Sequence, residues 1–274
     1  MTITWLQSLL YSLLTGITSL LPVSAEAHQT LFMQLSGLNE VPAYLQLTVH
    51  LGILVALLIS CREFIGDYRV AHHLASLPAS RRKRQPDREV MLTMRNLQIM
   101  ILPVALSTFA HSYVAWIGQK QWLLPLVLIC NGLILFIPQY LPGANKVSQN
   151  MSALDALLMG FGYALGTVPG ISPVGFMVAF GRMRGVDKLH AVNLSLLLSI
   201  PVTIIWLLMD LFSMYGAGMN VSFLAIFSSV CAATFSALFA IALMRNFARN
   251  GGLSAFAYYS WGAAMFIFIL YLTI

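Results

Sequence analysis

Six apolar runs, each near the roughly 20 residues that a helix needs to cross a bilayer core of about 30 Å, fix what this chain can be. They lie at about 44–60, 97–115, 122–140, 191–213, 221–244 and 253–273. With 59% hydrophobic and 9% charged residues in 274, a water-soluble surface is excluded, and the expected class is an all-α integral membrane protein. The first apolar stretch has no Lys or Arg before it. It therefore lacks the charged lead of a cleavable signal peptide and is expected to stay.

Two further apolar segments, 4–36 and 153–181, are interrupted at matching places by Leu21-Pro22-Val23-Ser24 and Val168-Pro169-Gly170-Ile171-Ser172. Each reads as a pair of half-helices. Charge decides whether they cross or turn back, because Lys and Arg concentrate in short cytoplasmic loops. If both turn back, the loops at 61–96, 141–152, 182–190 and 245–252 share one side and hold Arg62 to Arg95, Lys146, Arg182, Arg184, Lys188, Arg245 and Arg249. The other side keeps only Lys120. The expectation is six full spans and two re-entrant hairpins, with basic loops cytoplasmic and both termini outside. The chain then divides into residues 1–145 and 146–274, each a re-entrant hairpin followed by three spans. An odd number of spans makes the halves an inverted-topology repeat, the usual frame for a midplane site reached from either side.

The breaks carry the chemistry. Ser172 before Pro173 has the form of a helix N-cap with proline at the first helical position, and Ser24 before Ala25-Glu26-Ala27 can cap the matching helix. Two helix N-termini aimed at the protein's middle attract an anion such as phosphate, with Gly170 leaving room for close backbone approach. Ionisable groups within the membrane default to function. Glu26 and His28 lead, although two residues apart on a helix they do not share a face. His50 reads as hydrogen-bonded packing, Asp155 and Asp210 as interfacial, and Arg182 and Arg184 as cytoplasmic anchors, with Arg182 also a candidate phosphate ligand. Cys61, Cys130 and Cys231 are too dispersed for a disulfide framework or metal cluster, and His72, His73 and His111 give no metal spacing. No cofactor and no nucleic-acid partner is expected. The run Arg81-Arg82-Lys83-Arg84 reads as a topology signal.

These hairpin sequences resemble the undecaprenyl-diphosphate phosphatases of the BacA/UppP type. Residues 15–28, TGITSLLPVSAEAH, are similar to that family's first signature, roughly E-G-x-T-E-F-L-P-V-S-S-T-G-H. Residues 169–175, PGISPVG, look like its P-G-x-S-R-S-G. Val49-His50-Leu51-Gly52 matches the Q-L-G region, and Tyr259 the late Tyr-Arg pair. The resemblance implies a bacterial inner-membrane protein that meets a polyprenyl phosphate or diphosphate, for which a homodimer is an allowed assembly. By resemblance the acids and the histidine would do acid/base or metal work and the arginine would hold the diphosphate. Here Thr15 and Ser19 stand at the acidic positions, Ala25 at the second serine, Pro173 and Val174 at the arginine and its serine, and Ser260 at the late arginine.

Phosphoanhydride hydrolysis depends on cationic stabilisation of the transferred phosphoryl group. These replacements therefore lead to an expectation of binding and translocation of the lipid phosphate without hydrolysis, proton-coupled through Glu26 and His28, with phosphate at Ser24, Ser172, Gly170, His28 and Arg182. The alternatives are a diphosphatase with a rearranged site, using His28 and Glu26 catalytically with magnesium or calcium, and a binding pseudoenzyme.

Overall fold

The computed structural model describes residues 3–82, 84–120, 122–143, 145–214 and 222–273, and the described residues are helical, with no strand beyond an isolated bridge between Lys146 and Val186. Six helices are long and apolar enough to cross a membrane. They are α3 (Ala43–Ser60), α5 (Arg88–Val114), α7 (Leu123–Phe136, continued by a 3₁₀ turn Ile137–Tyr140), α10 (Lys188–Ser213), α11 (Phe223–Asn250) and α12 (Ser254–Thr273). Four shorter helices, α1 (Trp5–Ser19), α2 (Ala25–Leu35), α8 (Ala153–Leu165) and α9 (Pro173–Met183), come from the two interrupted segments. The chain is a multi-pass membrane protein.

The core is largely apolar, and the exterior is apolar as well. Leu102, Leu106, Phe212, Phe223 and Phe235 are exposed, whereas Ser12, Thr15, Asn96, Asn131 and Ser195 are buried. Lipid solvates the first group, and the second finds its hydrogen bonds only inside the bundle. Close helix approach is set by small residues. A Cβ at Gly160 of α8 would lie 2.4 Å from the Met100 carbonyl oxygen of α5, and one at Gly16 of α1 would lie 2.6 Å from the Ala233 oxygen of α11. Such backbone contact replaces the hydrophobic drive that is missing between helices in lipid.

Both interrupted segments fold back on themselves. In the first, Thr15 Oγ1 accepts from Gln29 Nε2 at 3.4 Å, and the Tyr11 and Phe32 rings meet edge to face at 5.7 Å. In the second, Gly166 packs on Pro173, Gly162 on Phe176 and Phe180, and Gly181 on Met159. Each pairing matches residues before the break with residues progressively farther beyond it, the register of an antiparallel helical hairpin.

The four basic loops come together at one end of the bundle. The Arg245 guanidinium donates to the Ser60 carbonyl and to Asn193 Oδ1 at 3.2 and 3.1 Å, and Lys188 Nζ donates to the Gly251 carbonyl. Lys146 bonds Asp155 Oδ2 at 3.2 Å while its backbone pairs with Gly185 and Asp187. The α8–α9 hairpin starts and ends at this end. The first hairpin enters from the other, where Trp5 Nε1 donates to Ser228 Oγ near the start of α11 at 3.1 Å.

Two expectations need correction. The segment 61–96 is not a loop throughout, because α4 (Arg62–Ser76) follows α3 directly and α5 begins at Arg88. Phe64 and Ile65 pack on the core and Ala71 is buried while Arg62, Arg69 and His72 face outward, so an amphipathic pattern holds a helix within a strongly charged stretch. Asp155 is not interfacial in the sense of being exposed. Its side chain is 1% accessible, accepting from Arg184 Nε at 2.8 Å as well as from Lys146, inside the capping box that Ser152 forms at the start of α8.

Candidate functional site

The two hairpin tips touch. Ser172 Oγ donates to the Leu21 carbonyl at 3.0 Å, across 151 residues of chain. Asn131, buried in α7, bridges both tips. Its Oδ1 accepts the Ser172 backbone N–H at 2.9 Å, and its Nδ2 donates to Ser260 Oγ at 3.0 Å and to the Pro22 carbonyl at 3.4 Å. An isolated asparagine in the apolar run Ile129-Cys130-Asn131-Gly132 is costly in lipid unless satisfied. That was the available sequence signal for this clamp, and the sequence reading passed over it.

Local chemistry shapes each tip. Proline at the first helical position and a Ser172 hydroxyl accepting from Gly175 N–H at 3.2 Å start α9 as the sequence predicts, and Gly170 takes φ +100, a conformation that disfavours any side chain. At the first tip, Ser24 caps Ala27 N–H at 3.4 Å from φ 37. A serine in this region is strained by about 1–2 kcal/mol, and the Ser172–Leu21 and Asn131–Pro22 bonds hold the preceding turn in place.

Beside the meeting tips lies a cavity of about 520 Å³ between α1, α2, α3, α8, α9 and α10. Thr15, Ser19, Ala25 and Pro173 line it, together with Glu26, Gln29, Gln46, His50, Trp206 and Asp210. Toward the end away from the basic loops it reaches Gln46, Asp210 and Ser213, and toward the interior it reaches Leu20, Gly166 and Ile171. His50 and Asp210 meet here. His50 Nδ1 lies 2.5 Å from Asp210 Oδ2, and the ring stacks on Trp206 with centroids 6.5 Å apart. Asp210 is thus paired and buried, near the end of α10, and its partner lies 160 residues away, a separation that leaves no motif to read.

Of the residues given a catalytic or phosphate-binding role from the sequence, Glu26 lines this cavity and the other five do not. His28 lies on the opposite face of α2, as the two-residue spacing requires. Its Nε2 meets the Tyr259 hydroxyl at 2.6 Å and its Nδ1 the Ser24 carbonyl at 2.8 Å. It borders a separate apolar recess of about 430 Å³ with Leu31, Leu128 and Phe266. Ser24, Ser172 and Gly170 are buried within the tips. Arg182 is at the basic end, where Nη1 donates to the Val186 carbonyl at 3.4 Å. Among the described residues no three of His, Cys, Asp and Glu converge closely enough to hold a metal ion.

Known proteins match this sequence over nearly the whole chain. The undecaprenyl-diphosphatase of Carboxydothermus hydrogenoformans is 29% identical over 268 residues, 96% of each chain, and that of Halothermothrix orenii is 27% identical over 94% of this chain and 95% of its own. The undecaprenyl-diphosphatase of a Nocardioides species is 30% identical over 201 residues, covering 73% of this chain and 72% of that protein. The sequence model described as bacitracin resistance protein BacA matches residues 8–266, and the chain belongs to that family.

Proposed function

We propose that this chain acts on the head group of an undecaprenyl-type lipid carrier, releasing phosphate from the diphosphate in the cavity beside the hairpin tips while the polyprenyl tail stays in lipid. One observation carries the reading. Four of the six replaced signature positions, Thr15 and Ser19 on α1, Ala25 on α2 and Pro173 on α9, converge on a single cavity, although they come from three helices and both hairpins. Names of relatives over the full length supply the substrate class. In this reading the hairpins are re-entrant, the halves 1–145 and 146–274 are inverted repeats, and the basic end faces the cytoplasm by the positive-inside rule. The cavity then opens outward.

The site is rearranged. Glu26 in the first turn of α2 is the acid that enters the cavity in place of the groups replaced by Thr15 and Ser19, and it serves as the general acid/base. Ser24, Ser172 and Gly170 shape and lock the tips, because their polar atoms are already engaged with protein. Phosphate release from farnesyl or undecaprenyl diphosphate by purified protein tests this. Glu26→Gln is expected to slow release at least about 100-fold, the lower range for loss of a general acid/base, and unchanged release would overturn the assignment. Loss of release in His28→Ala with Glu26→Gln unaffected would move the site to the Tyr259 recess.

A second reading, translocation of the lipid phosphate without hydrolysis, is favoured by one specific observation: among the described residues no Lys or Arg lines the cavity. Removal of a single transition-state donor costs about 3–4 kcal/mol in well-studied enzymes. The two readings separate in one set of proteoliposomes, in which inorganic phosphate and the sidedness of a polyprenyl phosphate are followed together. Transport without phosphate release, abolished by Glu26→Gln, would select the second.

A further inference from the structure

An anionic head group that leaves water needs donors, and at least one of them should be charged to offset desolvation. Among the described residues the cavity supplies neutral donors in Thr15, Ser19, Gln29, Gln46 and Thr203, but neither Lys nor Arg. Among these lining residues His50 is the side chain able to become a cation. Asp210 fixes that imidazole through Nδ1 at 2.5 Å, and Trp206 covers its face. Among the described residues no protein group is recorded at Nε2, and the side chain keeps 26% of its accessibility against 9% for Asp210. The geometry is that of an oriented imidazole on the cavity wall, held by a carboxylate through Nδ1 and not through Nε2.

Resting on the lipid-carrier reading above, we infer that His50, oriented by Asp210, is the head-group site of this chain: Nε2–H donates to a phosphoryl oxygen of a polyprenyl phosphate or diphosphate. The pair does the work of the missing arginine by another route. A guanidinium is always charged, whereas an imidazole takes up its proton together with the anion, so binding becomes linked to pH. The groups facing His50 from the packed elements are Asp210 on α10, Glu26 on α2, Tyr11 on α1 and Tyr163 on α8. From α11 comes Arg245, which lies at the far Ser60 end of α3. Among the described residues Glu26 and Asp210 are the other groups here able to give the same sign of pH dependence, and the test must separate them from His50.

The experiment measures equilibrium binding of farnesyl phosphate, farnesyl diphosphate and inorganic pyrophosphate to the full-length protein in detergent between pH 5 and 8, with a melting curve for each variant. Wild type is expected to bind the two lipids more tightly as pH falls, with a linkage of up to about one proton per head group. His50→Ala should weaken binding about 10- to 100-fold, the range for a lost charge-assisted hydrogen bond, and should remove His50's share of the slope. His50→Gln should restore part of the affinity and none of that share. Glu26→Gln should keep a slope, and Asp210→Asn, which frees the imidazole to turn, should weaken binding of both lipids. His50→Ala and His50→Gln variants that bind within twofold of wild type with the same slope would overturn the inference and leave the lipid reading standing. If the His50 variants do not fold, an Asp210→Asn profile superimposable on wild type overturns it instead. A wild type that binds neither lipid overturns this inference and the lipid reading together. Binding of inorganic pyrophosphate as tight as that of the lipids would assign the site to free phosphate species. Tight lipid binding without phosphate release would overturn hydrolysis alone.

Discussion

Replacing Asn131 with leucine tests whether the hairpin tips are held by the clamp or only lie side by side. The amide makes three contacts, at 2.9 Å to the Ser172 N–H, 3.0 Å to Ser260 Oγ and 3.4 Å to the Pro22 carbonyl. Leucine fills similar volume, so little cavity term enters. What is lost is two well-formed interhelical bonds, worth about 0.6–1.7 kcal/mol each in a membrane protein, and a third that is long. What is left behind is the Ser172 N–H at the first turn of a buried helix with no replacement partner, a penalty of about 1–3 kcal/mol. Ser260 loses less, because its hydroxyl still donates to the Phe256 carbonyl at 2.9 Å. The sum is about 2–6 kcal/mol for Asn131→Leu and about 1 kcal/mol for Ser260→Ala. Asn131→Asp keeps the acceptor for Ser172 but removes the amide donor, so it separates the two halves of the clamp. Reversible unfolding in mixed micelles, with farnesyl diphosphate binding as the second readout, measures both effects. An Asn131→Leu protein that unfolds within about 0.5 kcal/mol of wild type and binds lipid normally would show that the tips are positioned by helix packing alone.

Two further outcomes follow from the same coordinates. Gly160→Ala places a methyl group 2.4 Å from the Met100 carbonyl oxygen and 2.7 Å from its Cα. Backbone cannot swing aside as a side chain can, so α8 and α5 must separate, with a loss of about 1–3 kcal/mol in the same unfolding assay. Asp155 gives a pH signature. Burial pushes its carboxyl up, but the Ser152 N–H and hydroxyl with the Arg184 and Lys146 cations together pull it further down, to about 2. A carboxyl depressed in the folded state stabilises fully above its unfolded value near 4 and loses that contribution as pH falls through about 2, roughly 2 kcal/mol in all. The acid limb of stability should flatten in Asp155→Asn, and an identical limb in both proteins would contradict the buried clasp.

Much of this architecture is legible from residue order because membrane helices are specified by composition over long windows. The six apolar runs became six helices with ends shifted by a few residues, except where charged residues extend α5 back to Arg88 and α11 on to Asn250. Those extensions project beyond the apolar core, where hydropathy carries no information but helix propensity persists. The start of α9 at Ser172-Pro173 and of α2 at Ser24 was readable for a local reason, since a cap is a property of four consecutive residues. Helix α4 was readable too, through the spacing of Phe64, Ile65, Tyr68 and Ala71, but the charge density of the stretch concealed it.

The site is another matter, and the difference is one of range. Glu26 and His28 diverge to separate cavities for the reason their spacing gives, yet the sequence cannot say which cavity each one meets. The His50–Asp210 pair joins α3 to α10 at a level set by how two antiparallel helices slide against each other. That level is fixed at the other end by Arg245 bonding both Ser60 and Asn193. A shift of one turn, about 5.4 Å, would separate the pair while leaving every hydropathy window unchanged. The register is held by contacts such as Gly52 against Ala233, where a Cβ would lie 2.7 Å from its neighbour, and by the Gly16–Ala233 approach on the adjoining helix. Small residues that look interchangeable in an apolar run therefore decide whether an imidazole deep in the bundle has a carboxylate beside it. The chemistry of the cavity depends on packing several turns away from it.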